Sequence, residues 1–342
     1  MSTQTLLVTG GAGFIGANFI LYWLANHPDS RVINLDLLTY AGNLETLHQI
    51  ESLPNYTFVQ GDIGNTELVN KIMADVDTVV HFAAETHVDR SIKNPDIFLT
   101  TNILGTHTLL KAALKHHVKR FHHISTDEVF GSLELGSTKK FTEKTGYDPR
   151  SPYSASKAAS DHLVRAYGET YGLPYTISNC SNNYGEYQFP EKIIPLAITN
   201  LMAGRRIPVY GDGLNVRDWL YVQDHCRAIE LILTTGQEHQ TYLIGGLSHD
   251  VSNLELIKTI LRLMNHAETE FDFVTDRPGH DQRYAVDWSY IHQSLGWSPT
   301  VSLEEGLQRT IDWYLAHPDW WQPLKTKNQA YFESHYAGSK SI

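Results

Sequence analysis

Residues 5–16 read TLLVTGGAGFIG, and no other stretch of the 342-residue chain restricts its fold as strongly. An apolar, β-branched run leads into three glycines, Gly10, Gly13 and Gly16, and an apolar helical pattern follows over 14–26. A strand that passes at once into a helix needs glycine for a tight turn, for close helix–strand contact and for close approach of a ligand to the backbone. It also aims a helix N-terminus, with its free amides and positive dipole end, at that ligand, which must then be anionic. The spacing GxxGxxG differs by one residue from GxGxxG but meets the same demands. A glycine triplet alone is a weak signal; a preceding strand and a following helix make it the opening of a βαβ unit that holds a dinucleotide pyrophosphate. The turn residues Gly10, Gly13, Phe14, Ile15 and Gly16 are its cofactor candidates.

The rest of the first half extends this pattern. Strands are predicted over 31–35, 56–60, 77–82, 119–125 and 174–179, and helices over 96–116 and 153–171. The strand runs lack strict alternation, so both faces should be covered. The expected class is α/β: a doubly wound parallel-sheet Rossmann domain with a smaller, loop-rich C-terminal substrate lobe. Past residue 180 the texture turns to proline, asparagine and aromatics, as in SNNYGEYQFPEKIIP and DRPGHDQRYAVD, with helices over 225–235, 251–265 and 302–316. Residues 1–180 are predicted to form the first domain, with returning segments near 212–242 and 296–315, and 181–342 mainly the second lobe. The Trp/Tyr-rich stretch from about 318 is expected to wrap the surface.

Composition removes other function classes. A formal charge of −11 leaves no basic surface for nucleic acid or anionic membrane. No apolar run approaches the roughly 20 residues of a membrane helix, and MSTQTLLVTGG has no signal-peptide pattern, so a cytoplasmic location is expected. Two cysteines, Cys180 and Cys226, without a CxxC fit reduced thiols. The 18 histidines include His116-His117 and His122-His123, but none has metal-ligand spacing; no metal is expected, and the histidines are read as surface or supporting groups.

Three further segments carry chemistry. Asp36, at the end of the second strand, is placed to accept from adenosine ribose hydroxyls and repel a 2′-phosphate, which favours NAD over NADP. Asp62 and Ile63 follow the third strand beside adenine, and Phe82, Ala83 and Ala84 follow the fourth beside nicotinamide. In YSASK, Tyr153 and Lys157 stand one helical turn apart on one face; an ammonium and a positive nicotinamide both favour a phenolate, so Tyr153 is a candidate base and both residues are cofactor candidates. HISTDEVFG, residues 123–131, sets Thr126, Asp127 and Glu128 side by side. Ser125-x-x-Glu128 also fits a capping box, and both acids can face one ligand only if the strand has already ended.

TGGAGFIG, HFAAETHVDRSI, STDEVFG, SPYSASKAASDHLV, NCSNNYG, FPEKIIP, RDWLYVQDH and DRPGHDQRYAVD, taken in order, resemble the extended short-chain dehydrogenase/reductases, and within them the retaining dTDP-glucose 4,6-dehydratases. The triplet Thr-Asp-Glu sets that group apart from 4-epimerases, which lack the acid pair, and from relatives with TSE or TDK. The resemblance implies NAD as cofactor, a nucleotide sugar, dTDP-glucose, as substrate, and a homodimer through a four-helix interface formed by the helices over 96–116 and 153–171. It implies that Tyr153 takes the O4 proton as C4 is oxidised, Thr126 bonds O4, Glu128 removes the C5 proton and Asp127 protonates the leaving C6 hydroxyl. Thr101 and Asn183 match cofactor positions. Thr86, Asn182, Lys192, Ile193, Pro208, Val209, Tyr210, Arg217, Asn253, Arg277, His280 and Tyr336 match substrate positions. Arg217 and Arg277 make physical sense as diphosphate clamps. Two residues depart from the pattern: Glu186 stands where proline is common and Leu243 where asparagine is usual. UDP-glucose dehydration, 4-epimerisation and a noncatalytic NAD sensor remain the alternatives.

Overall fold

A computed structural model describes residues 4–276 and 278–328. Seven parallel strands form the central sheet: β1 (Thr5–Thr9), β2 (Arg31–Asp36), β3 (Tyr56–Gln60), β4 (Thr78–His81), β5 (Arg120–Thr126), β6 (Tyr175–Cys180) and β7 (Gln240–Ile244). Their order is β7-β6-β5-β4-β1-β2-β3. The order reverses between β1 and β4, and the carboxyl ends there are where such sheets bind ligands. Apolar clusters cover both faces. Leu7, Val79, Phe121 and Ile177 face one side. Leu6, Val8, Val80 and Ile124 face the other, against helix α1 (Phe14–Asn26) and the returning helix over 222–235.

The stretch predicted as one helix over 96–116 is a helical run whose middle, Leu99–Gly105, adopts π-type hydrogen bonding. Helix α2 (Pro152–Tyr171) has Pro152 at its first position and a reciprocal Ser151/Ser154 capping box, and it stops at Gly172 in the left-handed region (φ 69°).

The second lobe has its own core, in which helices Ile193–Met202, Asn253–Leu263 and Leu303–Ala316 bury Ile198, Ile257, Ile260 and Ile311. Three two-stranded ribbons complete it, among them Asn182–Tyr184 with Trp219–Tyr221. The expectation for the segment after 318 needs correction. Pro318–Lys327 is a helix, not a surface wrap, because Trp321 (6% exposed) enters this core and donates to Tyr314 O (3.0 Å). Its neighbour Trp320 packs edge-on to Trp313 and Tyr187 and donates to Thr46 Oγ1 in the first domain (3.1 Å).

Several histidines take the supporting rather than the surface role. His81, His122, His123 and His225 are buried, each met by groups from neighbouring elements. His81 Nδ1 lies 2.7 Å from Thr9 Oγ1 and His122 Nδ1 2.8 Å from Thr176 Oγ1, so the sheet itself supplies the partners that water would otherwise provide.

Candidate active site

A cavity of about 360 Å³ opens over the carboxyl ends of β1, β4 and β5 and extends to the second lobe. At one end stands the glycine turn. Gly10 has φ +71°, and a Cβ there would lie 2.6 Å from Ala83 N; a Cβ on Gly16 would strike Gly10 O. Helix α1 starts at Gly13 with no side-chain cap and no acid in its first turn, which leaves its amides and dipole for an anion. Asp36, the end of β2, is oriented by two amides, Ala12 N to Oδ2 (2.9 Å) and Leu38 N to Oδ1 (2.8 Å), and each oxygen keeps a lone pair for a ribose hydroxyl. This cradle fits the pyrophosphate and ribose of NAD. Phe14, Ile15, Asp62 and Ile63 line the same end, and Phe82, Ala83, Ala84, Thr101 and Asn183 continue the wall.

The proposed chemical groups stand on the floor. β5 ends at Thr126, and Asp127–Phe130 turn into a short 3₁₀ helix, so the period-two alternation stops and both acids reach the cavity. The cap is not the predicted one. Thr126 Oγ1 accepts from Glu128 N (3.2 Å), while Ser125, one residue earlier on the opposite face of the pleat, donates to Asp161 Oδ2 (2.9 Å). Asp127 is 1% exposed. Its Oδ1 accepts from Thr126 Oγ1 (3.3 Å), and its Oδ2 has no partner among the described residues. Burial, followed by the neighbouring Glu128 and Asp218 carboxylates, pushes Asp127 far above the usual carboxylate range, which favours its protonated form. Glu128, adjacent in sequence, is only half-buried.

Tyr153 and Lys157 enter the same floor from α2. The expected phenolate is not what these two residues produce by themselves. Burial first, then the charge of Glu128, raises the Tyr153 pKa well above 10, and the hydrogen bond with Thr126 only partly opposes them. Lys157 turns its Nζ to Ile124 O (2.8 Å) and lies 3.5 Å from His123 Nε2; burial brings its pKa down to about 8.

Sequence reasoning missed Asp161, although its signal was present: it stands one turn beyond Lys157, on the stripe that begins at Tyr153. It is fully buried and accepts from Ser125, Tyr147 (2.8 Å) and Asn179 (3.2 Å), with His123 Nε2 3.2 Å away. Burial alone would raise its pKa, but His123, Lys157 and Ser125 more than offset this and hold it low. Asn179 also donates to Thr126 O (3.0 Å), so Asp161 fixes the strand end that carries the acids. Also missed were Tyr40 and Glu191 at the cavity wall. There Arg90 bonds Glu191 (3.1 Å) and stacks 3.7 Å over the Tyr40 ring, joining the two lobes at the cavity mouth.

Of the expected substrate positions, Thr86, Asn182, Lys192 and Ile193 line the cavity. Pro208, Val209, Tyr210, Arg217, Asn253 and His280 do not, and form a separate lobe-side group. Tyr210 meets His280 ring to ring (6.3 Å), and Val216–Arg217 pairs with Val251–Ser252, next to Asn253. Arg217 is buried, bonded to Val216 O and Asp281 O and stacked on Tyr284, so in this structure its fork holds backbone rather than facing the cavity. Arg277 and Tyr336 lie outside the described residues. Glu186 points away from the cavity and accepts from Tyr221 (2.6 Å), and Leu243 packs in β7 against Val129 and Phe141. Neither departure places its side chain on the cavity lining.

A glycine-turn dinucleotide cradle joined to Tyr-x-x-x-Lys and a strand-end hydroxyl defines the extended short-chain dehydrogenase/reductase class. Residues 7–310 match the family model for GDP-mannose 4,6 dehydratase. A dTDP-glucose 4,6-dehydratase of Mycobacterium tuberculosis is 53% identical over 96% of this chain and 98% of its own length. One from Escherichia coli is 48% identical over 98% of each. The solved structure of the Streptomyces venezuelae dTDP-glucose 4,6-dehydratase, with NAD and TYD bound, superposes with TM-score 0.91 at 48% identity, covering 94% of this chain and all of that one. A Thermotoga maritima UDP-glucose 4-epimerase shares the fold (TM-score 0.85) at 29% identity. The chain belongs to the dTDP-glucose 4,6-dehydratase family.

Proposed function

We propose that this chain catalyses the NAD-dependent, retaining 4,6-dehydration of dTDP-glucose to dTDP-4-keto-6-deoxyglucose. The observation that carries the reading is the acid pair on the cavity floor: Asp127 buried and shifted toward its protonated form, Glu128 half-buried, both lining the cavity with Tyr153. An epimerase needs no such pair; elimination needs one acid and one base with their pKa values held apart. Held in the glycine cradle, NAD would supply the acceptor for the C4 hydride and its donor to C6, and its positive charge would oppose the upward push on the Tyr153 phenol. Tyr153 takes the O4 proton, and Thr126 holds O4 by a hydrogen bond. The resulting C4 ketone acidifies the C5 proton, which Glu128 removes while Asp127 donates to the C6 hydroxyl and water leaves. Glu128 then returns its proton to C5.

Gly10, Gly13, Phe14, Ile15, Gly16, Asp36, Asp62 and Ile63 hold the adenosine and pyrophosphate half of the cofactor; Phe82, Ala83, Ala84, Thr101, Asn183, Tyr153 and Lys157 hold the other half. Thr86, Asn182, Lys192 and Ile193 face the sugar nucleotide from the cavity wall. The lobe-side group with Arg217, together with Arg277 and Tyr336, takes the rest. Residues 1–180 with the returning segment near 212–242 serve the cofactor, and the remainder serves the substrate; the expected return near 296–315 does not hold for Leu303–Ala316, which packs in the second-lobe core. Exposed Ile97, Leu99, Leu104 and Tyr171 on the helices over 96–115 and 152–171 support a homodimer through these helices. The free, buried Cys180 and Cys226 support a cytoplasmic location.

Incubation with dTDP-glucose in deuterated water tests the reaction. The expected product has lost water, carries deuterium at C5 and has the former C4 hydrogen at C6 of the same molecule. Recovery of a 4-epimer with no loss of water overturns the reading, and a parallel UDP-glucose arm reports the choice of base.

A further inference from the structure

Asp161 is a fully buried carboxylate that does not line the cavity, and no step of the reaction uses its charge. Its Oδ2 accepts from Ser125 Oγ (2.9 Å), Tyr147 OH (2.8 Å) and Asn179 Nδ2 (3.2 Å). A neutral amide carbonyl at this place would accept the same three bonds. Fastening β5, β6 and the segment before α2 together therefore needs the oxygen and not the anion. A charge is costly to bury unless a partner charge offsets the loss of water, and Oδ1 leads to that partner.

Oδ1 faces His123 Nε2 at 3.2 Å, and the same ring nitrogen lies 3.5 Å from Lys157 Nζ. Lys157 and Asp161 stand one turn apart on α2, so the helix holds amine and carboxylate on one face, with the imidazole from β5 against both. Lys157 is buried and donates to a neutral acceptor, Ile124 O (2.8 Å). The titratable groups that act on it are His81 from β4, His123 from β5, Cys180 from β6 and Asp161 from α2. Burial favours the neutral form of both imidazoles and pushes the Cys180 thiol up to about 12. Arg165, one turn beyond Asp161, ends on the Tyr147 hydroxyl (3.1 Å). Of these groups Asp161 alone is an anion. Burial pulls the Lys157 pKa down and Asp161 raises it, while Lys157 in turn helps to hold Asp161 low.

We propose that Asp161 is a positioning residue for the reaction: it is the buried counter-ion of Lys157, set against it across the His123 ring, and it keeps that lysine an ammonium one turn from Tyr153. The ammonium opposes the upward push on the phenol, so Asp161 acts on proton removal from O4 without touching substrate or cofactor. This role rests on the reading of Tyr153 as the base.

The pH profile of dTDP-glucose dehydration by the full-length, NAD-loaded enzyme tests this role in Asp161→Asn, which keeps a carbonyl for the three donors and removes the charge. Loss of the counter-ion lowers the pH at which Lys157 gives up its proton, so the alkaline limb of kcat/KM should move down by at least about one pH unit. Tyr147→Phe removes one fastening bond and leaves the carboxylate charged; its limb should stay where it is in the unaltered enzyme. An Asp161→Asn limb that does not move, whatever the melting temperature, overturns the role, as does an equal shift in Tyr147→Phe. A direct reading does not depend on the folding of any Asp161 variant. In the unaltered protein the ¹³Cε resonance of Lys157, identified by its loss in Lys157→Met, should show an ammonium at pH 7, and a neutral amine there overturns the role as well. Absence of water loss in the unaltered enzyme instead overturns the reaction reading itself.

Discussion

Asp127 and Glu128 are neighbours in sequence with opposite surroundings, and that difference is built from single contacts. Asp127 is buried near other carboxylates, which raises its pKa, while Glu128 stays half-buried at the cavity. Replacing Asp127 by Asn keeps the shape and removes the proton to be donated. Turnover of Asp127→Asn should fall by roughly 10²- to 10⁴-fold, with NAD affinity by fluorescence titration unchanged; full turnover would show that water leaves without this acid. The residues of the floor were legible because hydroxyl, acid and acid follow one another at a strand end and Tyr153 and Lys157 share a helix face. The contacts that tune them were not, because they come from afar. Ser125 was read as a cap, yet its hydroxyl goes to Asp161 across to α2, and the pleat hands the cap to Thr126.

Among elements, the first six strands of the sheet were predicted to within one residue, since apolar runs bounded by turns depend little on the remainder of the chain, whereas β7 was not predicted. The partners of the histidines inside them were not legible, for the opposite reason. Nothing local says that His122 and His123 in β5 will find Thr176, Ser178 and Asp161 on neighbouring elements. Their burial makes the fold acid-sensitive. Burial lowers His123 to a pKa of about 4 and His225 to about 3, against 6.5 in the unfolded chain. Between these values the unfolded chain binds more protons than the native one, so stability rises with pH through the window and is lost as pH falls below about 6.5. At pH 5 the loss is roughly 2 kcal/mol for each such imidazole. Thermal melts at pH 7.5 and pH 5 measure it, and a melting temperature that did not fall would contradict the assignment of neutral buried rings.

At the scale of the molecule, the exposed apolar residues of the two helical runs predict how copies meet. Light scattering should give a mass twice the 38.7 kDa of one chain, and Leu104→Glu, at a position 59% exposed, should halve it without loss of helix content. A single mass in the unaltered protein would place the apolar face elsewhere in its biology. The change in texture near residue 180 gave the expectation of two parts, but nothing local forecast the helix over Pro318–Lys327. Its tryptophans lie among polar residues, and only the second-lobe core gives Trp321 a reason to turn inward.

The helix Pro318–Lys327 also ties the parts of the molecule together. Through Trp320 on Thr46 and Trp321 in the second-lobe core it joins the two lobes, and Arg90, bonded to Glu191 and stacked on Tyr40, joins them at a second place. Two tethers built from different chemistry, an indole hydrogen bond and an ion pair, make the seating of one lobe on the other only partly sensitive to salt.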